Sequence, residues 1–409
     1  MSLGRHIILK RKRSASLGDP FRSYSFRNDE MPAEVTLDVE VGELEKADLR
    51  KLEREVDVDC IAPVMPVKLI APLLADDARV SRSSLESVDS ARVAGSTWGV
   101  RAVGASNSCY TGAGVTVAVL DTGIDAAHPA FAGMDITQKD FTGEGDGDSD
   151  GHGTHVAGTI FGRDIDGVRI GIAKGVTKAL IGKVIGTSGG SSEDIVNAIL
   201  WAVQEHAQVI NMSLGIDFPG AVLEMQKKGM PPDLATSRAL EAYRQNIRLF
   251  DTLAGFVRSK GHLPFHGAVL VVAAAGNESQ RHRSPDHEIT VAPPAAADGF
   301  ASVAALQMTD GNAPLSVAPF SNTGANIAAP GVGIISAKAG GGLTAMNGTS
   351  MASPHVTGVA ALWCEQLGKT AGRVLQEALI ARVLGRATTT PLVEDFDTLD
   401  VGAGLVQAP

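Results

Sequence analysis

Three short strings supply an acid, an imidazole and a hydroxyl, in that chain order. They are Leu120-Asp121-Thr122-Gly123-Ile124-Asp125, Gly151-His152-Gly153-Thr154-His155-Val156-Ala157-Gly158-Thr159, and Asn347-Gly348-Thr349-Ser350-Met351-Ala352-Ser353-Pro354-His355. Brought together, such groups run nucleophilic acyl transfer. A serine hydroxyl attacks a carbonyl, an imidazole takes its proton, and a carboxylate orients and stabilises the imidazolium.

The surroundings of each string suit that chemistry. Asp121 follows the apolar run Val115 to Leu120, and in open parallel sheets sites gather at the carboxyl ends of strands. Taken alone, Asp121 could equally start a turn. His152 lies between two glycines at the entry to a small-residue stretch, where each ring nitrogen can meet a different partner. Ser350 precedes an apolar helical stretch. A serine there is commonly a cap, but the same place sets a nucleophile at the positive end of a helix dipole, beside backbone N–H groups that can hold an oxyanion. Asn277, in Ala273-Ala274-Ala275-Gly276-Asn277-Glu278, follows another apolar run and can aim its amide at a substrate carbonyl oxygen.

The order Asp, His, Ser is that of subtilisin, and the three strings resemble those of the subtilase family of serine endopeptidases. The resemblance covers about residue 98 to the C-terminus. It implies a catalytic set of Asp121, His152 and Ser350, with Asn277 as oxyanion donor supported by Thr349 and with His155 in a structural role. It also implies that Asn211-Met212-Ser213-Leu214-Gly215 is an edge along which substrate lies as an added strand. Ser213, Leu214, Gly215 and Gly276 would then line the substrate site. The small residues suggest an open pocket for large apolar side chains, and Glu278 could favour a basic one. Two other readings remain beside a self-processing endopeptidase. One is a catalytically silent protein that holds peptides in the same cleft and keeps its N-terminal domain. The other is an acid-acting relative with Glu for His and Asp at the oxyanion position, which His152 and Asn277 oppose.

These residues need a scaffold, and the chain reads as α/β: a parallel β-sheet with helices on both faces, preceded by a small α+β unit. The runs 114–120, 209–212 and 268–273 fit strands buried on both faces, while 192–208 and 353–367 read as helices between and after them. Residues 216–266 are long for one connection, and 234–259 within them has helix-forming composition. Upstream, Val35, Leu37, Val39 and Val41 alternate with polar residues as in a half-buried strand. Glu43 to Val56 reads as an amphipathic helix, and Val58 to Ile70 as an extended piece limited by Pro63 and Pro66 to an edge strand. The expected division is a unit over 1–75, a polar linker over 76–96 and a peptidase domain over 97–409. By the resemblance, the first unit is an inhibitory propeptide, an intramolecular partner that is cut away within 70–96. Ser14 to Ala33 lacks the clear amphipathic helix usual in such propeptides.

Composition bounds the remaining possibilities. A chain of 409 residues, 44% hydrophobic, can bury a large core. A net charge of -10 argues against a nucleic-acid partner. The Lys10-Arg11-Lys12-Arg13 cluster reads as the solvated end of a first strand. Cys60, Cys109 and Cys364 show no metal spacing and no disulfide framework. No apolar run reaches the roughly 20 residues of a membrane span, and no secretory leader is visible, so the expectation is a cytoplasmic protein with protein or peptide substrates and no membrane partner. No metal or cofactor is required. Asp146-Gly147-Asp148-Ser149-Asp150-Gly151 imitates the start of a calcium loop but has Ala157 where the twelfth-position Glu belongs, and it reads as a solvated acidic loop. The calcium site usual in the family looks degraded, since Ala130 follows His128-Pro129; Asp164 and Asp166 leave room for another.

Overall fold

A computed structural model of the protein describes residues 2–13, 35–74, 77, 80, 85–261, 267–309 and 314–409. The segment 14–33, parts of the 76–96 stretch and the end of the 216–266 connection lie outside the described residues.

The chain opens with β1 (Ser2–Arg13), β2 (Val35–Glu45), α1 (Lys46–Leu52), β3 (Val58–Pro63) and β4 (Pro66–Leu69). β1 is the centre of an antiparallel sheet in the order β2-β1-β3. Its basic end is paired across the strands: Lys10 with Glu40 at 2.8 Å, Arg11 with Asp59 at 2.9 Å, and Lys12 with Asp38. Half-exposed pairs of this kind contribute about 0–1 kcal/mol each. The helix α1 is shorter than its periodicity suggests. Glu43 to Glu45 belong to β2, none of the helix is buried, and Val56 stands fully in solvent.

The second part begins with α2 (Val88–Ala94) and α3 (Trp98–Ala102), then β5 (Thr116–Asp121), β6 (Asp135–Asp140), α4 (His152–Phe161), β7 (Lys178–Lys183), β8 (Gly190–Ser191), α5 (Ser192–Gln204), β9 (Val209–Met212) and β10 (Leu214–Ile216). It continues through α6 (Phe218–Lys227), α7 (Pro232–Gly261), β11 (Leu270–Ala274), β12 (Ala301–Met308), β13 (Leu315–Val317), β14 (Ile327–Pro330), β15 (Ile334–Ala337), β16 (Leu343–Met346), α8 (Thr349–Ala371), α9 (Gln376–Gly385) and α10 (Thr398–Val401). The main sheet runs β13-β12-β11-β9-β5-β7-β6, with β14 paired to β12. All its pairings are parallel except β12 with β13.

Helices cover both faces, which is why the central strands are mostly apolar. Val117 and Val119 of β5 point into the core shared with α4 and α8. Ala118 and Leu120 point into the opposite core, shared with α5 and α7. That second core also takes in Ile7, Leu9, Ala62, Met65 and Val67, so the N-terminal sheet buries its apolar face against the helices of the second part. Asn246, buried in α7, donates to the Pro63 carbonyl (2.9 Å), while Met65 and Ser192 exchange two hydrogen bonds at the start of α5.

Two expectations are corrected. The residues read as a polar linker include α2, whose N-cap Ser87 accepts from the Ser90 N–H (3.1 Å) and whose Ala91 is fully buried. Only one side of this short helix meets the core, so the sequence shows little apolar pattern. β4 is also not an edge strand. It lies between β10 and β8, antiparallel to both. Pro66 is compatible with that interior position because it is the first residue of the strand. Among the described residues no helix is long and apolar enough to cross a membrane.

Candidate active site

The parallel sheet delivers the acid. Asp121 ends β5, fully buried, and its Oδ1 accepts from the Thr122 N–H (2.8 Å). Gly123 then turns the chain at a φ of +112°, and a Cβ there would stand 2.1 Å from the Gly147 carbonyl oxygen. The acidic loop can therefore close against the strand end only because this residue has no side chain.

That loop is not simply solvated, as its sequence suggests. Asp148 is half-buried and ties the strand end to the following helix. Its Oδ1 accepts from Thr122 Oγ1 (2.9 Å) and the Gly151 N–H (2.8 Å), and its Oδ2 from the N–H (2.8 Å) and Oγ1 (2.6 Å) of Thr154. Asp146 and Asp150 are exposed. Among the described residues no group of three or more His, Cys, Asp and Glu is placed to hold a metal.

His152 is the first residue of α4, fully buried, with Nδ1 2.7 Å from Asp121 Oδ1. Burial opposes charging of the ring. The Asp121 carboxylate outweighs it, through its charge and its hydrogen bond, and Asp150 and Asp148 add to the effect, so the pKa rises above 6.5. Among the described residues His152 Nε2 has no hydrogen-bond partner. His155 has a different environment: Nε2 meets the Ile334 carbonyl (2.9 Å), and burial lowers its pKa to about 3. This histidine joins α4 to β15 as a neutral ring.

Ser350 lies in the first turn of α8, buried, with Gly348 as N-cap. Asn211 ties this turn to the sheet by accepting from Ser353 Oγ (2.8 Å) and Thr357 Oγ1 (2.9 Å), a role its sequence context gave no sign of. Ser213 also supports the turn: its buried Oγ donates to the Ser350 carbonyl (3.2 Å). Asn277 is held by its oxygen, which accepts from the N–H and the Oγ1 of Thr349, both at 2.9 Å. Thr349 Oγ1 in turn accepts from the Gly276 N–H (3.1 Å). These bonds leave the Asn277 amide nitrogen facing the cleft. Gly276 has φ +116°, and a Cβ there would stand 2.2 Å from Asn322 Nδ2.

The cleft is occupied by the protein's own N-terminal unit. β4 pairs Leu69 with Leu214, Lys68 with Gly215 and Val67 with Ile216 on one side, and Val67 with Gly190 on the other. The chain then crosses the buried serine. Ser350 Oγ donates to the Ile70 carbonyl (3.0 Å), and Asn277 Nδ2 donates to the next carbonyl, that of Ala71 (3.1 Å). Ile70 is buried, and its Cγ1 would be 3.7 Å from a Cβ placed on Gly215. Glu278 is exposed and accepts from Asn322 Nδ2 (2.8 Å). The structure thus brings Asp121 to His152, Asn277 to Thr349, and Leu214, Gly215 and Ser350 to one strand of chain.

The sequence profile of the Subtilase family matches residues 112–397. The chain belongs to the subtilase family. Subtilisin-like protease 6 of Trichophyton verrucosum is 31% identical over 370 residues, covering 87% of this chain and 72% of the relative. The protein of the same name from Trichophyton schoenleinii is 31% identical over 382 residues, at 87% and 73% coverage. That from Arthroderma benhamiae is 30% identical over 370 residues, at 87% and 72%. This subtilase is accordingly a serine endopeptidase, a hydrolase whose substrates are proteins or peptides.

Proposed function

We propose that this subtilase is made as a self-processing zymogen, that Asp121, His152 and Ser350 are its catalytic residues, and that its first cut falls between Ile70 and Ala71. The observation that carries this reading is β4, the third strand between β8 and β10, which runs on to place the Ile70 carbonyl oxygen 3.0 Å from Ser350 Oγ. The carbonyl carbon is one bond, about 1.23 Å, beyond that oxygen. The Ile70 side chain fills the space against Gly215. Cutting one bond later would need Pro72 as leaving group.

Attack requires the Ser350 hydroxyl to turn from the Ile70 oxygen towards His152 Nε2, which no donor occupies among the described residues. The Ile70 carbonyl then takes the Asn277 amide that Ala71 holds. Ser350 Oγ bonds to the carbonyl carbon as its proton passes to His152 Nε2. The Asn277 amide and the Ser350 N–H hold the oxyanion. The C–N bond to Ala71 breaks, and His152 returns the proton to the leaving amine. Water then repeats the sequence on the acyl-enzyme. Asp121 keeps the imidazole oriented and stabilises its charge throughout. Every group needed is a side chain or backbone amide of the chain, so the proposal names no cofactor.

After the cut, residues 1–70 stay as a strand-paired inhibitor until they dissociate. Residues 1–70 and 71–409 are therefore the proposed functional division. The test is intact mass spectrometry of the wild type beside Ser350→Ala. The wild type is expected to lose residues 1–70 and the variant to remain whole. If both remain whole and a fluorophosphonate fails to label Ser350, the catalytically silent, peptide-holding alternative replaces this reading.

A further inference from the structure

The strand in the cleft shows how a peptide is read, and one contact along it is charged. Val67 is buried, Ile70 is buried, and between them Lys68 projects outward. Lys68 Nζ lies 3.2 Å from Asp217 Oδ1, with the side chains 45% and 26% exposed. Asp217 follows β10 directly. Its backbone N–H donates to the Pro66 carbonyl (2.9 Å), so the same residue grips the bound strand by main chain and by side chain.

The placement of that carboxylate is informative. Asp217 is the N-cap of α6, where an aspartate ordinarily accepts from a backbone N–H of the first turn. Here it makes no such side-chain bond. One oxygen, Oδ2, lies over Gly220 without a capping bond, and the other, Oδ1, faces the third residue of the paired segment. The backbone of that segment is fixed by β10, so any extended peptide in the same register presents its side chain to Asp217.

We propose that Asp217 is a specificity-determining residue, selecting peptides that carry Lys or Arg two positions before the residue whose carbonyl meets Ser350. The proposal rests on the endopeptidase reading above and adds to it a substrate class: extended segments with a basic residue between two apolar ones, in the pattern Val-Lys-Leu-Ile. Asp217 touches the substrate away from the reacting atoms, so it acts on the choice of peptide and leaves the chemistry alone.

The test is kcat/KM for three peptides spanning Pro-Val-Lys-Leu-Ile-Ala, with Lys, Gln or Glu at the third place, on the mature wild type, Asp217→Asn and Asp217→Lys. A half-exposed ion pair supports a preference of about 2- to 5-fold for Lys over Gln, falling in high salt. Asp217→Asn is expected to bring the ratio to about one, and labelling of Ser350 by a fluorophosphonate in the same variant shows that it is folded. Asp217→Lys is expected to prefer Glu. A wild-type ratio of one, or a Lys preference that survives Asp217→Asn, overturns the assignment and leaves the endopeptidase reading standing. If the wild type cleaves none of the peptides, both fall.

Discussion

Val67 gives the cleanest measure of how the N-terminal unit holds the cleft. It is 3% exposed, belongs to the same hydrophobic core as Leu214, Ile216 and Ile195, and is paired on both sides through its backbone. Val67→Ala removes two methyl groups and leaves the strand hydrogen bonds in place. At about 0.8 kcal/mol per buried group the loss is about 1.6 kcal/mol. The cavity left behind raises it to about 2 kcal/mol. At 1.4 kcal/mol per tenfold, the cleaved unit should dissociate about 15- to 30-fold more readily. The assay follows one sample of full-length protein by intact mass and by peptide hydrolysis. The delay between the cut and full activity should shorten by that factor in Val67→Ala. Lys12→Gln, at the exposed end of the central strand β1 and away from β4, should leave the delay unchanged. An unchanged delay in Val67→Ala, or equal shortening in both variants, refutes the reasoning.

Three further outcomes are expected. Because Asp121 raises the pKa of His152, the acid limb of kcat/KM should lie above 6.5: the ring stays protonated, and inactive as a base, to higher pH. Asp121→Asn removes the cause and leaves burial, so the limb should move down while kcat falls about 10⁴-fold; a limb that stays in place counts against the pairing. Asp148→Ala deletes bonds to Thr122, Gly151 and Thr154 and should cost about 2–4 kcal/mol in urea unfolding of the Ser350→Ala protein, with kcat reduced in the active form and Asp148→Asn intermediate. Glu365, in α8, accepts from the backbone N–H groups of Thr111 (2.7 Å), Gly112 (2.7 Å) and Ala113 (3.1 Å). Burial alone would raise its pKa, but Lys369 and these three donors lower it below 4.5. Its contribution, about 3 kcal/mol by Glu365→Ala, should be full above pH 4.5 and fade as pH falls through the depressed value. Equal loss at pH 3 and pH 7 would contradict this.

What could be read in the sequence was local. β5 and β9 announce themselves because strands covered on both faces are mostly apolar, and Asp121 stands out as the first charge after such a run. The helix bearing Ser350 and the long helix α7 follow from composition in the same way. The place of β4 could not be read, since its partners lie some 120 to 150 residues away and Pro63 and Pro66 pointed to an edge. The helix α6 went unseen within the long connection. Asp148 was hidden by its neighbours: three alternating aspartates look alike in sequence, and only the fold turns one of them inward. Asn211 was hidden for the converse reason, being a polar residue inside an apolar strand whose partners belong to α8.

The position of β4 has one more consequence. If β4 leaves with residues 1–70, as proposed, β8 and β10 face each other across a gap of about 10 Å, twice the spacing of neighbouring strands. Both present unpaired backbone groups to that gap. A loop folded back on itself is too thick to enter; a single extended segment fits. A folded protein therefore meets this enzyme only in the moments when a stretch of its chain peels away. Its lifetime in the presence of the enzyme then measures how often that stretch opens, and two proteins carrying the same cleavable segment will be destroyed at rates set by their own local stability.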